Sequence, residues 1–327
     1  MAALYVTSTG EEAGRTVICM GLGKVFQLSG KKVGYLKAAT LDPADRDAQV
    51  MKEALNLGDA DSVGPASAVK DAGGIGEAAV AKAEEALKSA SRGKGVVLIE
   101  GIGDPAADKK VAAALGARVV LVVRHEDSLG TERVLEAAKV LGETLAGVVI
   151  NAVPEPKRER VRILVAKPLV ESGIEVLGIL PEIRALSAVT VGELAEHVGG
   201  SVLNAEDRAG ELVENVMVGA LSADSALSYL KLKKNKAVVT RGDHADIQLA
   251  ALNTSTACLI LTENIDPVPA VLSRAQEVDV PIVRVEKDTA STMEAVASVL
   301  EKVGTHYDKR AELLAPIFTN YLHTDKL

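Results

Sequence analysis

The chain has 327 residues, 48% of them hydrophobic, and a formal net charge of −8; it can bury a substantial core, and its length favours two domains. The acidic balance and an aromatic content of 2% argue against a nucleic-acid partner, which needs clustered basic charge and stacking platforms. Two cysteines and five scattered histidines give neither a disulfide framework nor metal-ligand spacing, no apolar run approaches the roughly 18 residues of a membrane span, and no signal-peptide pattern opens the chain, so a soluble cytoplasmic protein with no membrane partner is expected.

A short apolar strand, residues 4–6, is followed by Ser8-Thr9-Gly10-Glu11-Glu12-Ala13-Gly14-Arg15-Thr16 and then by a helix-like apolar run, residues 17–22. Strand, loop and helix follow the phosphate-loop pattern G-x-x-x-x-G-K-[ST]. Two features depart from it: the first glycine shifts to Gly10, and Arg15 stands where lysine is expected. Such loops surround an anion with backbone N–H groups at a helix N-terminus, and a Ser or Thr hydroxyl coordinates Mg²⁺. Gly14 and Thr16 keep these roles. Arg15 keeps the charge, but as a planar fork on a longer stem it does not reproduce an ammonium. Glu11 and Glu12 add negative charge beside the anion site. The bland alternative is an ordinary glycine turn between strand and helix.

Further strands are expected at residues 33–36, 96–99, 119–123, 148–150 and 176–179, separated by amphipathic segments. This alternation is that of a parallel sheet covered by helices. Ligands bind outside the carboxyl ends of such strands, where Thr7, Lys37, Glu100, Arg124 and Asn151 fall. Lys37 either supplies the ammonium absent from position 15 or is a surface lysine. Among the acids of residues 42–47, Asp42 or Asp45 can hold Mg²⁺, or Asp45 can cap the helix that begins near Asp47. Glu100, ahead of Gly101-Ile102-Gly103, can reach a metal or substrate; the alternative is a glycine turn with an exposed glutamate. Asn151 offers an amide to a base, or is a plain turn residue. The basic stretch at residues 157–162 reads as a solvated helix face rather than a polyanion site.

Pro181, the Gly199-Gly200 pair and the polar residues 204–208 place a boundary near residue 205. A second α/β alternation follows: helix 222–232, strand 237–240, helix 246–252, strand 258–261, helix 268–278, strand 282–285 and helix 289–303. Within it, Asp246 reads as a helix cap and Gly242 as a tight turn. Alternatively Thr240, Arg241, Gly242 and Asp243 form an anion or small-ligand site at the helix N-terminus. Cys19 and Cys258 read as packing residues. A terminal helix, residues 307–323, carries Tyr307, Phe318 and Tyr321.

The first domain resembles the dethiobiotin synthetase and cobyrinic acid synthase branch of P-loop proteins, through residues 8–16, Gly34-Tyr35-Leu36-Lys37, Glu100-Gly101-Ile102-Gly103 and Gly147-Val148-Val149-Ile150-Asn151. The second resembles the DRTGG domain, through residues 215–220, Val238-Val239-Thr240-Arg241-Gly242-Asp243-His244-Ala245-Asp246 and residues 254–262. The pair looks like the N-terminal regulatory region of long phosphate acetyltransferases and like a phosphotransacetylase family. This implies an α/β P-loop parallel sheet flanked by helices (residues 1–205), a smaller α/β DRTGG-like domain (206–304) and a C-terminal helix (305–327). Dethiobiotin synthetase uses ATP and Mg²⁺ to activate a carboxylate with two lysines, and Lys37 matches only the second. The resemblance thus implies a cofactor site of Gly10, Gly14, Arg15, Thr16, Lys37, Glu100 and Asn151, with Thr16, Asp42, Asp45 and Glu100 towards the metal. With only residues 305–327 after the second domain, no acyl-transfer domain is expected. The leading expectation is a nucleotide- or metabolite-binding regulatory protein, a homo-oligomer acting on a separate metabolic enzyme. The alternative is an ATP-dependent ligase acting on a carboxylate.

Overall fold

The structure, a computed structural model, describes residues 1–10, 12–183, 188–219, 223–302 and 311–327. Seven parallel strands make the first sheet: β1 (Ala2–Ser8), β2 (Val33–Lys37), β3 (Ser62–Val63), β4 (Val96–Glu100), β5 (Arg118–Arg124), β6 (Leu145–Val153) and β7 (Val176–Pro181), side by side as β3-β2-β4-β1-β5-β6-β7. Helices α1 (Arg15–Leu28), α2 (Asp47–Leu55), α3 (Glu77–Ala90), α4 (Pro105–Ala114), α5 (Thr131–Leu141), α6 (Arg158–Val161) and α7 (Lys167–Glu171) supply the crossovers. A π-helical turn, Arg162–Ala166, separates α6 from α7. Strands β2 and β4 are buried from end to end, because a parallel sheet covered on both faces requires near-continuous apolar runs. Tyr5, Leu36, Ile99, Leu121 and Ile150 pack in one core with Ala83, Val111, Val134 and Leu169 of the helices.

Strand order positions the site. The chain leaves β1 for β2 and β3 on one side, returns through β4, and continues to β5 on the other side of β1. The carboxyl ends therefore converge around β1, with Glu100 in register with Val6 and Lys37, and Arg124 beside Asn151.

The second group of elements comprises β8 (Val189–Thr190), α8 (Val191–Val198), β9 (Ser201–Val202), β10 (Leu212–Val213), β11 (Asn215–Val218), α9 (Ala223–Leu230), β12 (Lys236–Arg241), α10 (Ala245–Leu252), β13 (Thr256–Thr262), α11 (Pro269–Glu277), β14 (Ile282–Arg284) and α12 (Thr289–Lys302). Its sheet runs β11-β12-β13-β14-β9, parallel except where β9 meets β14. Period-two alternation splits each strand between two cores: Val239 and Ile260 face a core with Leu194 and Val296, whereas Val238 and Leu259 face one with Ile247 and Val271.

Two expectations change here. The division falls earlier than residue 205: the second compact unit begins at Ile183, where β9 pairs with β14 at the edge of the second sheet and β8 pairs with β10 in a small sheet of its own. The terminal helix α13 (Ala311–Tyr321) is no separate element. It belongs to the first unit, where Phe318 is fully buried against α1 and Leu322 bridges to Gly178 of β7. Tyr307 lies outside the described residues, as does Glu11. Asp246 sits inside the first turn of α10, and no side chain caps that helix at its N-cap, His244.

Candidate functional site

Gly14 begins α1 in a left-handed conformation, φ 89° and ψ 31°, which L-residues with a Cβ disfavour. A Cβ there would also lie 2.5 Å from Asn151 Nδ2. Glu12 is left-handed as well, with φ 50°. Four of the loop's carbonyls are held by side chains: Thr9 O accepts from Arg133 Nη2 at 2.5 Å, Gly10 O from Ser8 Oγ and Arg15 Nη1, Glu12 O from Arg124 Nη1 at 3.0 Å, and Ala13 O from Asn151 Nδ2 at 2.9 Å. With carbonyls engaged this way, the polarity left over is that of N–H groups at a helix N-terminus, and three guanidinium groups surround it.

Arg15 does not extend to solvent. Its Nη1 donates to Ser8 Oγ at 2.6 Å and to Gly10 O at 3.1 Å, while Nε is buried without a hydrogen-bond partner, 4.0 Å from Glu100 Oε1. Gly103, at φ 91°, makes room: a Cβ there would lie 2.2 Å from Arg15 Nη1.

Glu100 is the hub of the site and is 1% exposed. Its Oε1 accepts from Thr16 Oγ1 and from Lys37 Nζ, each at 2.9 Å, and its Oε2 accepts from Tyr35 OH at 2.8 Å. Lys37 also donates to Asp47 Oδ2 at 2.5 Å and has Asp45 Oδ2 at 3.6 Å. It is no surface lysine: burial disfavours its charge, but the facing carboxylates of Glu100 and Asp47 outweigh this and hold it above the ordinary lysine value. Burial, then the charge of Glu100, pushes Asp47 up to about 6 against the opposing pull of Lys37. Asp45 turns inward, accepting from Asp47 N at 2.9 Å and from Thr40 Oγ1 at 2.7 Å, while the N-cap of α2 is Arg46 and has no side-chain cap hydrogen bond. Asp42 is exposed and accepts from Ala44 N, so it stands apart from the cluster. Thr16 Oγ1 and Glu100 Oε1, 2.9 Å apart, are hard oxygen ligands of the type Mg²⁺ shares with phosphate and water, with Asp47 linked to them through Lys37; among the described residues no group of three or more His, Cys, Asp or Glu is arranged to hold a metal.

Asn151 faces the loop rather than a base, since its amide donates to Ala13 O. Asp108 escaped sequence reasoning altogether. It lies in the first turn of α4, 1% exposed, and accepts from Tyr5 OH, Thr7 Oγ1, Ile102 N and Gly103 N at 2.6–3.1 Å. Burial raises its pKa and these donors pull it back. Asp108 fixes the glycine segment beside Arg15, and a Cβ on Gly101 would lie 2.4 Å from its Oδ1. An acid in a helix's first turn carries no pattern that distinguishes this role from dipole compensation.

In the second unit, Thr240 is buried and donates to Gly219 O at 2.9 Å. Arg241 is paired with Asp243 and Glu263 at 3.1 and 3.2 Å. Gly242 packs so closely that a Cβ would lie 2.2 Å from Ile265 O. These contacts are internal to the fold. The basic stretch after β6 is largely neutralised in the same way, Lys157 by Asp127, Arg158 by Glu155 and Arg162 by Glu159.

Residues 2–190 match the family model described as AAA domain, and residues 193–299 the one described as DRTGG domain. A phosphate acetyltransferase of Nitratidesulfovibrio vulgaris is 23% identical over 99% of this chain and 51% of its own length; the chain thus spans about half of that relative. An ATP-dependent dethiobiotin synthetase of Saccharopolyspora erythraea is 32% identical over 60% of the chain and 94% of its own length. Among solved structures, the MinC:MinD cell division complex of Aquifex aeolicus aligns at 17% identity over 57% of this chain and 83% of that one, with a TM-score of 0.40.

Proposed function

The chain belongs to the AAA domain family and carries a DRTGG domain after that region, and from this premise we propose a nucleotide- or metabolite-binding regulatory protein whose loop at residues 8–16 takes ATP. The carrying observation is the state of the two cations. Arg15 is turned into the loop against Ser8 and Gly10, and Lys37 is committed to Glu100 and Asp47. Neither is a free compact charge of the kind that stabilises a transferring phosphoryl group. Binding draws instead on the loop's N–H groups and its ring of guanidiniums; Thr16, Glu100 and Asp47 would hold Mg²⁺, and the ion would offset the negative charge of the phosphates. In this reading the protein is a homo-oligomer that acts on a separate metabolic enzyme and works in the cytoplasm.

Titration calorimetry with Mg-ATP, paired with single-turnover ADP release, tests the proposal. Saturable binding without release above background is the expected outcome. Arg15→Ala should weaken binding about tenfold or more, on the scale of about 1.5–3 kcal/mol for a hydrogen bond to a charged group. Folded protein that binds no nucleotide sinks the reading.

One observation favours a second reading, an ATP-dependent ligase acting on a carboxylate. Thr16, Lys37, Asp47 and Glu100 form a single connected cluster at the strand ends. That reading requires ADP release stimulated by a carboxylate substrate and abolished in Lys37→Ala.

A further inference from the structure

A cavity of about 430 Å³ opens in the first unit between the segment after β5 and the helical turns at residues 157–165. That volume is in the range of small-molecule sites. Its polar side holds His125, Lys157 and Arg160, and its apolar wall includes Leu129, Val161 and Leu164. Three independent features mark it. Both ring nitrogens of His125 are buried without a hydrogen-bond partner, although its backbone is anchored by donation to Asn151 O at 2.8 Å. The π-helical turn Arg162–Ala166 forms part of the wall, a distortion that concentrates at functional positions. Leu164 is 55% exposed, an apolar side chain left at the mouth of the cavity.

We propose that this cavity binds a small aliphatic carboxylate, with the carboxylate between His125 and Arg160 and the hydrocarbon on Leu129, Val161 and Leu164. Charge selects the class. The groups facing His125 are Glu126 and Asp127 from its own segment and Lys157 and Arg160 from the opposite turns; two acids and two bases cancel. Lys157 is already held by Asp127 at 2.5 Å, and Asp127 Oδ1 stays 3.8 Å from His125 Nε2, beyond hydrogen-bond reach. A proton on His125 adds a single positive charge, matched to a monoanion rather than to a phosphate dianion. Burial, and then the charge of Lys157, holds the imidazole below its ordinary value, so the free site is neutral at physiological pH. An anion beside the ring favours the protonated form, and binding then takes up a proton.

The probe is hexanoate, followed by saturation-transfer NMR and calorimetry on the full chain, with hexanamide and inorganic phosphate as controls. Hexanoate should bind saturably and at least about threefold more tightly near pH 6 than near pH 8, where histidine loses its charge. His125→Phe should abolish that pH dependence. Arg160→Ala should weaken binding about tenfold, a charge-assisted contact, and Leu164→Asp should remove it, with thermal melts confirming that each variant is folded. The proposal is overturned if hexanoate does not bind, if hexanamide or phosphate binds equally well, or if Arg160→Ala and Leu164→Asp leave binding unchanged. Mg-ATP binding is measured in the same variants, so loss of hexanoate alone separates this site from the loop.

Discussion

Glu100 accepts from Thr16, Tyr35 and Lys37 at once, and that concentration of contacts sets the electrostatics of the site. Partial burial, and then the charge of the neighbouring Glu100, raise Asp47 to about 6 against the pull of Lys37. A carboxyl whose folded value lies above its unfolded value contributes stability that is complete below the unfolded value and lost as pH rises through the folded one. The urea midpoint of the wild type should therefore carry a downward component between about pH 4 and pH 6. Asp47→Asn removes that component; an unchanged slope in the variant would refute the assignment. Gly14 makes a second residue-scale prediction. Its left-handed backbone and the Asn151 amide 2.5 Å from an added Cβ mean that Gly14→Ala should cost at least about 1–2 kcal/mol in urea unfolding and displace the Asn151 brace. Sequence pattern singled out Gly14, Thr16, Lys37 and Glu100 because strand ends and loop spacing announce them. It missed Asp108 and Arg133, and that Arg124 reaches the loop, contacts between residues about a hundred positions apart.

Among the elements, α1 shows how a loop is kept in place from behind. Ile18, Cys19, Met20 and Leu22 are buried, as their apolar run implied, but the reason for Gly21 lies elsewhere in the chain. A Cβ at Gly21 would lie 2.3 Å from the ring of Phe318, so α13 approaches the loop helix as closely as glycine permits. Phe318→Ala should cost about 3–5 kcal/mol, measured by urea unfolding. A cost near zero would show that α13 contributes little to the core. Most strand interiors were legible from their β-branched runs. The two-residue strands β3, β8, β9 and β10 were not, since a pair of residues carries no period and is defined by its partner strand alone.

For the molecule as a whole, the first unit is built from two separate stretches of chain, with the second unit's residues between them. Deleting residues 311–327 should therefore affect the beginning of the chain more than the middle. Hydrogen exchange should show lost protection in α1 and β7, which contact Phe318 and Leu322, and unchanged protection in α10 and β12. Equal loss in both units would contradict the division. Among the described residues no helix is long and apolar enough to cross a membrane.

By itself the sequence determined the class of fold and the place of the loop, because alternating apolar runs and glycine spacing are local properties that survive without a structure. It also singled out Arg15 as the unusual cation. Only the tertiary structure decided what Arg15 does, turning it onto Ser8 and Gly10, that Lys37 is paired rather than free, and that the terminal helix returns to the first sheet. Each of these depends on which distant side chains share a buried volume, and no spacing along the chain encodes that.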